Sequence, residues 1–292
     1  MKKYLLFLLS LGLIFSLSRE NISAKTRNCN SKDFASDYVR AYNSARTIDP
    51  QDRINSMAIA RCQQAEIVRL LESHLGNKIG YKVAITNQKA RQQTGIDSPV
   101  VGVLLEKMLL PNGSTIAIDS GARLIYEVDL LVKIKSENIN NAETIMEVAR
   151  NIEAVYPFIE VPDLMLPPGV KLSKSSLVAI NVGARWGVIG EKISVSDNKK
   201  FLQDLAKMQV SMYDNSGKLL TRSEGKNILG NPLNSVLFLI SELKQRGEKL
   251  NSGDLVSLGT FGTFYFAKSG KSAIAVYQGI GDRPATVLVK FK

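Results

Sequence analysis

The sequence predicts an α+β protein, a helical N-terminal cap at residues 25–77 on a mostly β body at 78–292. Three observations carry this. Apolar residues recur with a 3.6-residue period over 53–75 (Ala58, Cys62, Ala65, Val68, Leu71, Leu75). After Gly76-Asn77 the texture changes to short β-rich runs divided by turns. No Pro- or Ser-rich linker separates the two parts, so they read as one unit. The 292 residues are 45% hydrophobic, near the globular average. Disordered, collagenous and disulfide-stapled classes are thereby excluded.

The first 24 residues read as a secretory signal. Lys2 and Lys3 precede an apolar run over 4–17, and Ile22-Ser23-Ala24 offers a small-residue cleavage site before Lys25. A membrane-spanning helix needs roughly 20 apolar residues, so the run is short for an anchor. No lipobox-like Cys follows it, and no later run is long enough to span a bilayer. The expectation is a periplasmic or secreted protein with no stable membrane anchor after cleavage. Removing Lys2, Lys3, Arg19 and Glu20 lowers the net charge from +11 to +9. Export makes a Cys29–Cys62 bridge permissible, with two independent thiols as the alternative.

Residues 33–43 and 53–75 read as helices, 78–85 as a strand, 88–94 as a short helix and 100–108 as extended chain. Pro111-Asn112-Gly113 is a turn, and Asn112-Gly113-Ser114 is also a glycosylation sequon that the turn explains by itself. A β segment at 122–134 precedes a helix at 142–155, a strand at 156–161, a β-rich stretch at 177–189 and a helix at 199–206. Residues 210–213 and 218–222 form a hairpin around Asp214-Asn-Ser-Gly217. Asn231-Pro232 opens a helix that Gly247 closes, and strands at 254–258, 264–267, 272–277 and 286–291 end the chain.

The basic residues are scattered, without an arginine tract or aromatic interleaving, so no nucleic-acid partner is expected. A dinucleotide fingerprint, Walker loop, GxSxG elbow and HExxH are all missing from the sequence. His74 is the lone histidine, which argues against a catalytic triad and a histidine zinc site. Carboxylates remain. Glu127 and Asp129 share one face of an apolar strand, Glu160 stands alone in a second, and Lys82 in a third. Acids among apolar neighbours need a partner. A hard divalent cation is one answer; exposure or a lysine partner is the other. Lys82 is either a surface strand residue or a desolvated acid/base.

These segments, in order, resemble the 2-keto-4-pentenoate hydratase / 4-oxalocrotonate decarboxylase group of the fumarylacetoacetate hydrolase superfamily. Gly80-Tyr-Lys-Val-Ala-Ile-Thr86 is similar to its G-Y-K-V-G-L-T, and Gln92-Gln-Thr-Gly-Ile-Asp-Ser-Pro99 with Gly102-Val-Leu-Leu105 to its next pieces. Glu127-Val-Asp129 resembles its E-x-E pair, one residue shortened to Asp, and Ile159-Glu-Val-Pro-Asp163 its L-E-I-x-D. Val178-Ala-Ile-Asn181, Leu229-Gly-Asn-Pro-Leu-Asn234 and Gly253-Asp-Leu-Val256 with Gly259-Thr260 continue the series. The acidic residue often found before the V-A-x-N asparagine is absent, and G-H-P is Gly230-Asn231-Pro232.

The resemblance implies a mixed β-roll and a Mg2+ or Mn2+ site of Glu127, Asp129 and Glu160. It also implies Lys82 as the catalytic residue, and Asn181, Gly259 and Thr260 as substrate-binding residues. The expected function is an exported metal-dependent lyase, a hydratase or decarboxylase, that stabilises the enolate of a 2-keto or 2-hydroxydienoic acid on the cation. A non-catalytic exported relative that binds an organic anion, or a C–C bond hydrolase, is the alternative. The expected partner is a small anionic keto acid, and a homo-oligomer is expected by analogy with the family.

Overall fold

The computed structural model describes residues 34–292. The expected signal segment, its cleavage site, Asp33 and Cys29 lie outside the described residues. Cys62 is not a free thiol. Helices α1 (Phe34–Asn43) and α2 (Met57–Leu75) form the N-terminal cap. Ser56, whose side chain accepts from the Ile59 N–H, starts α2, and Gly76 at φ +80° ends it. The cap's buried face includes Phe34, Tyr38, Ile67 and Leu71. Among the described residues no helix is long and apolar enough to cross a membrane.

Strands β1 (Lys78–Ala84) and β2 (Val100–Leu105) flank helix α3 (Gln88–Thr94). Two short strands follow, β3 (Leu109–Pro111) and β4 (Thr115–Ile116), then the long β5 (Ile125–Ile134). Helix α4 (Ile145–Arg150) leads into β6 (Ile152–Val161). Helix α5 (Lys174–Ala179), β7 (Trp186–Ile189), β8 (Ile193–Ser194) and α6 (Lys199–Lys207) come next. The hairpin β9 (Gln209–Asp214) and β10 (Leu219–Glu224) precedes α7 (Asn234–Arg246). Strands β11 (Leu255–Ser257), β12 (Tyr265–Phe266), β13 (Ser272–Gln278) and β14 (Ala285–Phe291) finish the chain.

Two mixed sheets result. The larger runs β2-β1-β11-β5-β6-β7-β3, with β12 added to β5 and β8 to β6; the smaller runs β10-β9-β13-β14-β4. Parallel pairs (β1 with β11, β3 with β7, β14 with β4) sit among antiparallel ones. The smaller sheet covers the larger, and Tyr277 of β13 shows how. Its buried hydroxyl accepts from the Phe158 N–H at 3.2 Å and lies within reach of the Asp129 and Phe158 carbonyls. One tyrosine of the smaller sheet thus pins β5 and β6 where the acids stand.

Three expected elements differ. The helix expected over 142–155 is only α4. Thr144 and Glu147 make a capping box at its start, and Asn151 ends it. Residues 152–155 instead open β6, because Ile152 and Val155 satisfy a buried strand as well as a helical stripe. The stretch 177–189 opens as the end of α5. Ser173 caps that helix by accepting from the Ser176 N–H, and strand begins only at Trp186. The helix opened by Asn231-Pro232 starts at Asn234, with the Asn231 side chain accepting from the Leu233 N–H.

Candidate active site

The antiparallel register of β5 and β6 sets Glu127 directly opposite Glu160. The antiparallel β1–β2 pair, joined to β5 through β11, carries Lys82 to the same place. Lys82 Nζ lies 2.7 Å from Glu160 Oε1, and both side chains are almost fully buried. Nζ also donates to the Val182 carbonyl at 3.1 Å. The Glu160 contact is close, but its angle lies outside hydrogen-bond geometry, which leaves Oε1 a buried oxygen without a directional donor.

Glu127 sits between these groups and a cavity of about 460 Å³, lined also by Lys82, Ile85, Leu164, Val182 and Thr260. Burial, then the neighbouring Glu160 carboxyl, pushes the Glu127 carboxyl well above the ordinary glutamate range, and Lys82 only partly opposes this. The two carboxyls repel one another when ionised, a repulsion that a bound cation would relieve.

Asp129 is turned the other way. Its Oδ2 accepts from Ser257 Oγ at 2.6 Å, and its Oδ1 accepts from the Gly259 N–H at 2.9 Å and from the Leu130 N–H. Burial, followed by Glu160, raises it to about 7 despite those donors.

Two buried acids and the half-buried Glu127 beside one lysine leave surplus negative charge, and hard oxygen donors are what Mg2+ or Mn2+ takes. The orphaned Glu160 Oε1 and the raised Glu127 suit such a cation. Among the described residues, however, no three acidic side chains converge into a ready-made cage. Glu127 and Glu160 face each other, while Asp129, one methylene shorter than Glu, is held back by Ser257 and Gly259.

The three expected substrate contacts are placed differently from one another. Asn181 does not line the cavity. Its amide closes on β2: Nδ2 donates to the Val103 carbonyl at 2.9 Å, and Oδ1 accepts from the Val103 N–H at 2.8 Å and from Gln64 at 3.2 Å. Asn181, Val182 and Gly183 all have left-handed backbones, with φ of +50°, +54° and +63°. That is rare for a β-branched residue such as Val182. The turn aims the Val182 carbonyl at Lys82.

Gly259 is likewise spent on structure. Its N–H is committed to Asp129, and at φ +105° a Cβ there would lie 2.1 Å from Thr86 Oγ1. Thr260 does line the cavity. Arg123, absent from the expected set, lines it too. The alternation Arg123, Ile125, Glu127, all on the cavity side, was its signal in the sequence.

No family model matches the chain. The 4-oxalocrotonate decarboxylase of Pseudomonas putida is 26% identical over 216 residues, covering 74% of this chain and 80% of that one. The 2-keto-4-pentenoate hydratase 1 of Dechloromonas aromatica is 24% identical over 205 residues, covering 70% and 75%. Among solved structures, 4-oxalocrotonate decarboxylase from Pseudomonas putida G7, complexed with magnesium and adipate, superposes with a TM-score of 0.77 at 25% identity. That match covers 88% of this chain and 95% of the other. Fumarylpyruvate hydrolase from Pseudomonas aeruginosa, in complex with Mn2+ and pyruvate, shares the fold with a TM-score of 0.53 at 16% identity, covering 74% and 90%.

The fold is therefore that of the fumarylacetoacetate hydrolase superfamily. In sequence the chain is homologous to proteins named 2-keto-4-pentenoate hydratase and 4-oxalocrotonate decarboxylase.

Proposed function

We propose that the protein is an exported divalent-metal-dependent lyase acting on a 2-keto or 2-hydroxydienoic acid, by hydration or decarboxylation. The observation that carries this is the buried Lys82–Glu160–Glu127 cluster opening onto a largely apolar cavity. Glu127 and Glu160 would hold the cation, with Asp129 the third carboxylate behind them. When bound, the cation supplies a Lewis acid for the negative charge that develops on the 2-oxo oxygen. Lys82 would hold the substrate carboxylate or move a proton, with the Val182 carbonyl fixing its ammonium. Thr260 offers a hydroxyl at the cavity wall. The apolar walls keep bulk water from the reacting carbons, which strengthens every charge interaction inside.

Export is supported by the N-terminal charge and apolar pattern and by the lack of a free thiol at Cys62. Mass measurement of the mature N-terminus in a periplasmic or medium fraction tests it; an intact Met1 in the cytoplasm would overturn it.

One observation favours a second reading. Asp129 already has three donors, as a carboxylate in a non-catalytic organic-anion binder would. The deciding experiment follows absorbance during 2-hydroxydienoate consumption with and without Mg2+, beside calorimetric Mg2+ binding. The lyase requires Mg2+-dependent turnover and loss of Mg2+ binding in Glu127→Ala. Intact Mg2+ binding without turnover selects the binder, and no Mg2+ binding sinks the metal-enzyme reading.

A further inference from the structure

A second cleft lies behind the cavity of the buried acids. Its volume is about 930 Å³, and it is bounded by helix α3 and by β10, the edge strand of the smaller sheet. The two hollows share Gly262 and Thr263, and α3 divides them. Ala90, Gln93 and Thr94 line the first cavity, whereas Lys89 and Arg91 line the cleft. Asn87 fixes this partition. Its Oδ1 accepts from the Ala90 N–H at 2.8 Å, and its Nδ2 donates to the Thr260 carbonyl at 3.0 Å and the Gly262 carbonyl at 3.3 Å.

The charge of the cleft is one-sided. Lys89, Arg91, Arg222 and Lys226 line it, and no Asp or Glu does. Among the described residues, neither Lys89 nor Arg222 makes a side-chain hydrogen bond or an ion pair. Arg91 spends Nε on the Ile85 carbonyl at 3.2 Å and leaves its terminal nitrogens free. Lys226 has an acid, Glu224 at 2.5 Å, but that acid stands outside the cleft. The fold thus gathers cations from two distant segments against their mutual repulsion and supplies no counter-charge between them.

The floor is polar but already satisfied. Ser223 Oγ donates to the Phe261 carbonyl, Asn227 Nδ2 donates to Ser223 Oγ at 2.7 Å, and Thr221 Oγ1 lies 3.2 Å from the Tyr265 hydroxyl. Gly262 packs so closely on β10 that a Cβ there would meet Thr221 Cγ2 at 2.7 Å. The basic groups are therefore what this fixed floor leaves to bind a ligand.

We propose that the cleft binds a phosphate-bearing anion, at a site separate from the cavity of the buried acids. A phosphate ester carries about −1.5 to −2 charges at pH 7 and three strong acceptor oxygens, enough to engage cations on both walls at once. The guanidinium groups of Arg91 and Arg222 would take its oxygens in pairs, and Lys89 would add a point charge. The volume leaves room for the organic part of a soluble phosphate ester or for a lipid headgroup. The lyase reading is not needed for this assignment, since none of these cations belongs to the acid cluster.

The test is calorimetric binding of inorganic phosphate to the purified protein, with Mg2+ present and at low ionic strength. Wild type is compared with the cleft variant Lys89→Gln/Arg222→Gln, with Arg123→Met in the first cavity, and with Lys268→Gln/Lys290→Gln, two exposed lysines outside the cleft. Wild type should bind phosphate, and the cleft variant should bind it about tenfold more weakly or worse, because charge-assisted contacts are lost. Arg123→Met and the outer lysine variant should stay within about twofold of wild type, as expected for screened charges away from the ligand. Lys89 and Arg222 are exposed, so the urea midpoint of the cleft variant should match that of wild type. Cosedimentation with phosphatidic acid vesicles, against phosphatidylcholine alone, separates the two sources. Capture that the cleft variant abolishes assigns a lipid headgroup, and phosphate binding without capture assigns a soluble ester. The site is overturned by any of four results: no phosphate binding to wild type, equal binding to the cleft variant, loss of binding in Arg123→Met, or an equal loss in the outer lysine variant.

Discussion

Glu160 and Asp163 stand three residues apart at the end of β6, both buried, each against a buried cation, yet they are opposite designs. Asp163 is closed. Its Oδ1 accepts from the N–H groups of Arg123 and Met165, and its Oδ2 from Ala122 N and from Arg185 Nη1 at 3.3 Å. Arg185 also donates to the Tyr42 carbonyl at 3.1 Å, and its guanidinium lies 4.0 Å from the centre of the Tyr42 ring. Neither Asp163 nor Arg185 lines the cavity. Glu160 does not line the cavity either, but its oxygen is orphaned, and the acid opposite it, Glu127, and its cation, Lys82, both do line it. Burial of an ion pair is therefore uninformative alone; what marks a site is a pair whose charge and hydrogen bonds do not balance.

The same isosteric change should separate the two. Asp163→Asn puts amide hydrogens against backbone and guanidinium donors and leaves Arg185 without its counter-charge. We expect a loss of about 3–5 kcal/mol in urea unfolding, the range for breaking a buried pair. A loss below about 1 kcal/mol would dissolve the distinction. Glu160→Gln removes surplus negative charge, so stability should move by no more than about 1 kcal/mol. Turnover should instead fall by about 100-fold or more, as for loss of a group that orients proton transfer, and Mg2+ affinity should drop with it. Unfolding comparable to that of Asp163→Asn would show Glu160 to be a structural acid.

A third change tests the support between the two regions. Asn181→Ala deletes the amide that clasps Val103 and leaves a residue less tolerant of φ +50°. About 2 kcal/mol should be lost, from buried groups left unsatisfied. The Val182 carbonyl would lose its aim at Lys82, so turnover should fall more than the binding of a substrate analogue. A rise in KM alone would return Asn181 to the substrate contacts.

These contrasts also explain what the sequence could tell. The acids and Lys82 were legible because each interrupts an apolar strand, and strand period alone places Glu127 and Asp129 on one side. Period does not say where a side chain's oxygens find donors. Asp129 is decided by Ser257 and Gly259, far along the chain. Asn181 sits in a motif that resembles a substrate-binding one, but which way its amide turns depends on β2 lying beside it. Arg123 lies in the stretch that reads as a β segment, but its fixed pose depends on Leu166 and Phe266, far along the chain. The strand runs pointed to a mostly β body, while its division into two sheets comes from the pairing. Where periods overlap, as over 152–155, only tertiary pairing chose the strand.

The smallest effect belongs to a pair that is neither closed nor frustrated. Glu153 bridges Lys133 at 3.0 Å and Lys192 at 3.2 Å at the partly exposed surface. The hydrogen bond from Lys133, then that from Lys192, holds its carboxyl below the usual glutamate range. A carboxyl depressed on folding stabilises the folded state above its unfolded pKa, and that contribution fades as pH falls through the folded pKa. Glu153→Gln should therefore matter only at neutral pH and low salt, and its urea midpoint should coincide with wild type once salt screens the pair. A difference that persists in high salt would mean that this solvated bridge behaves like Asp163, and that exposure does not separate the two kinds of pair.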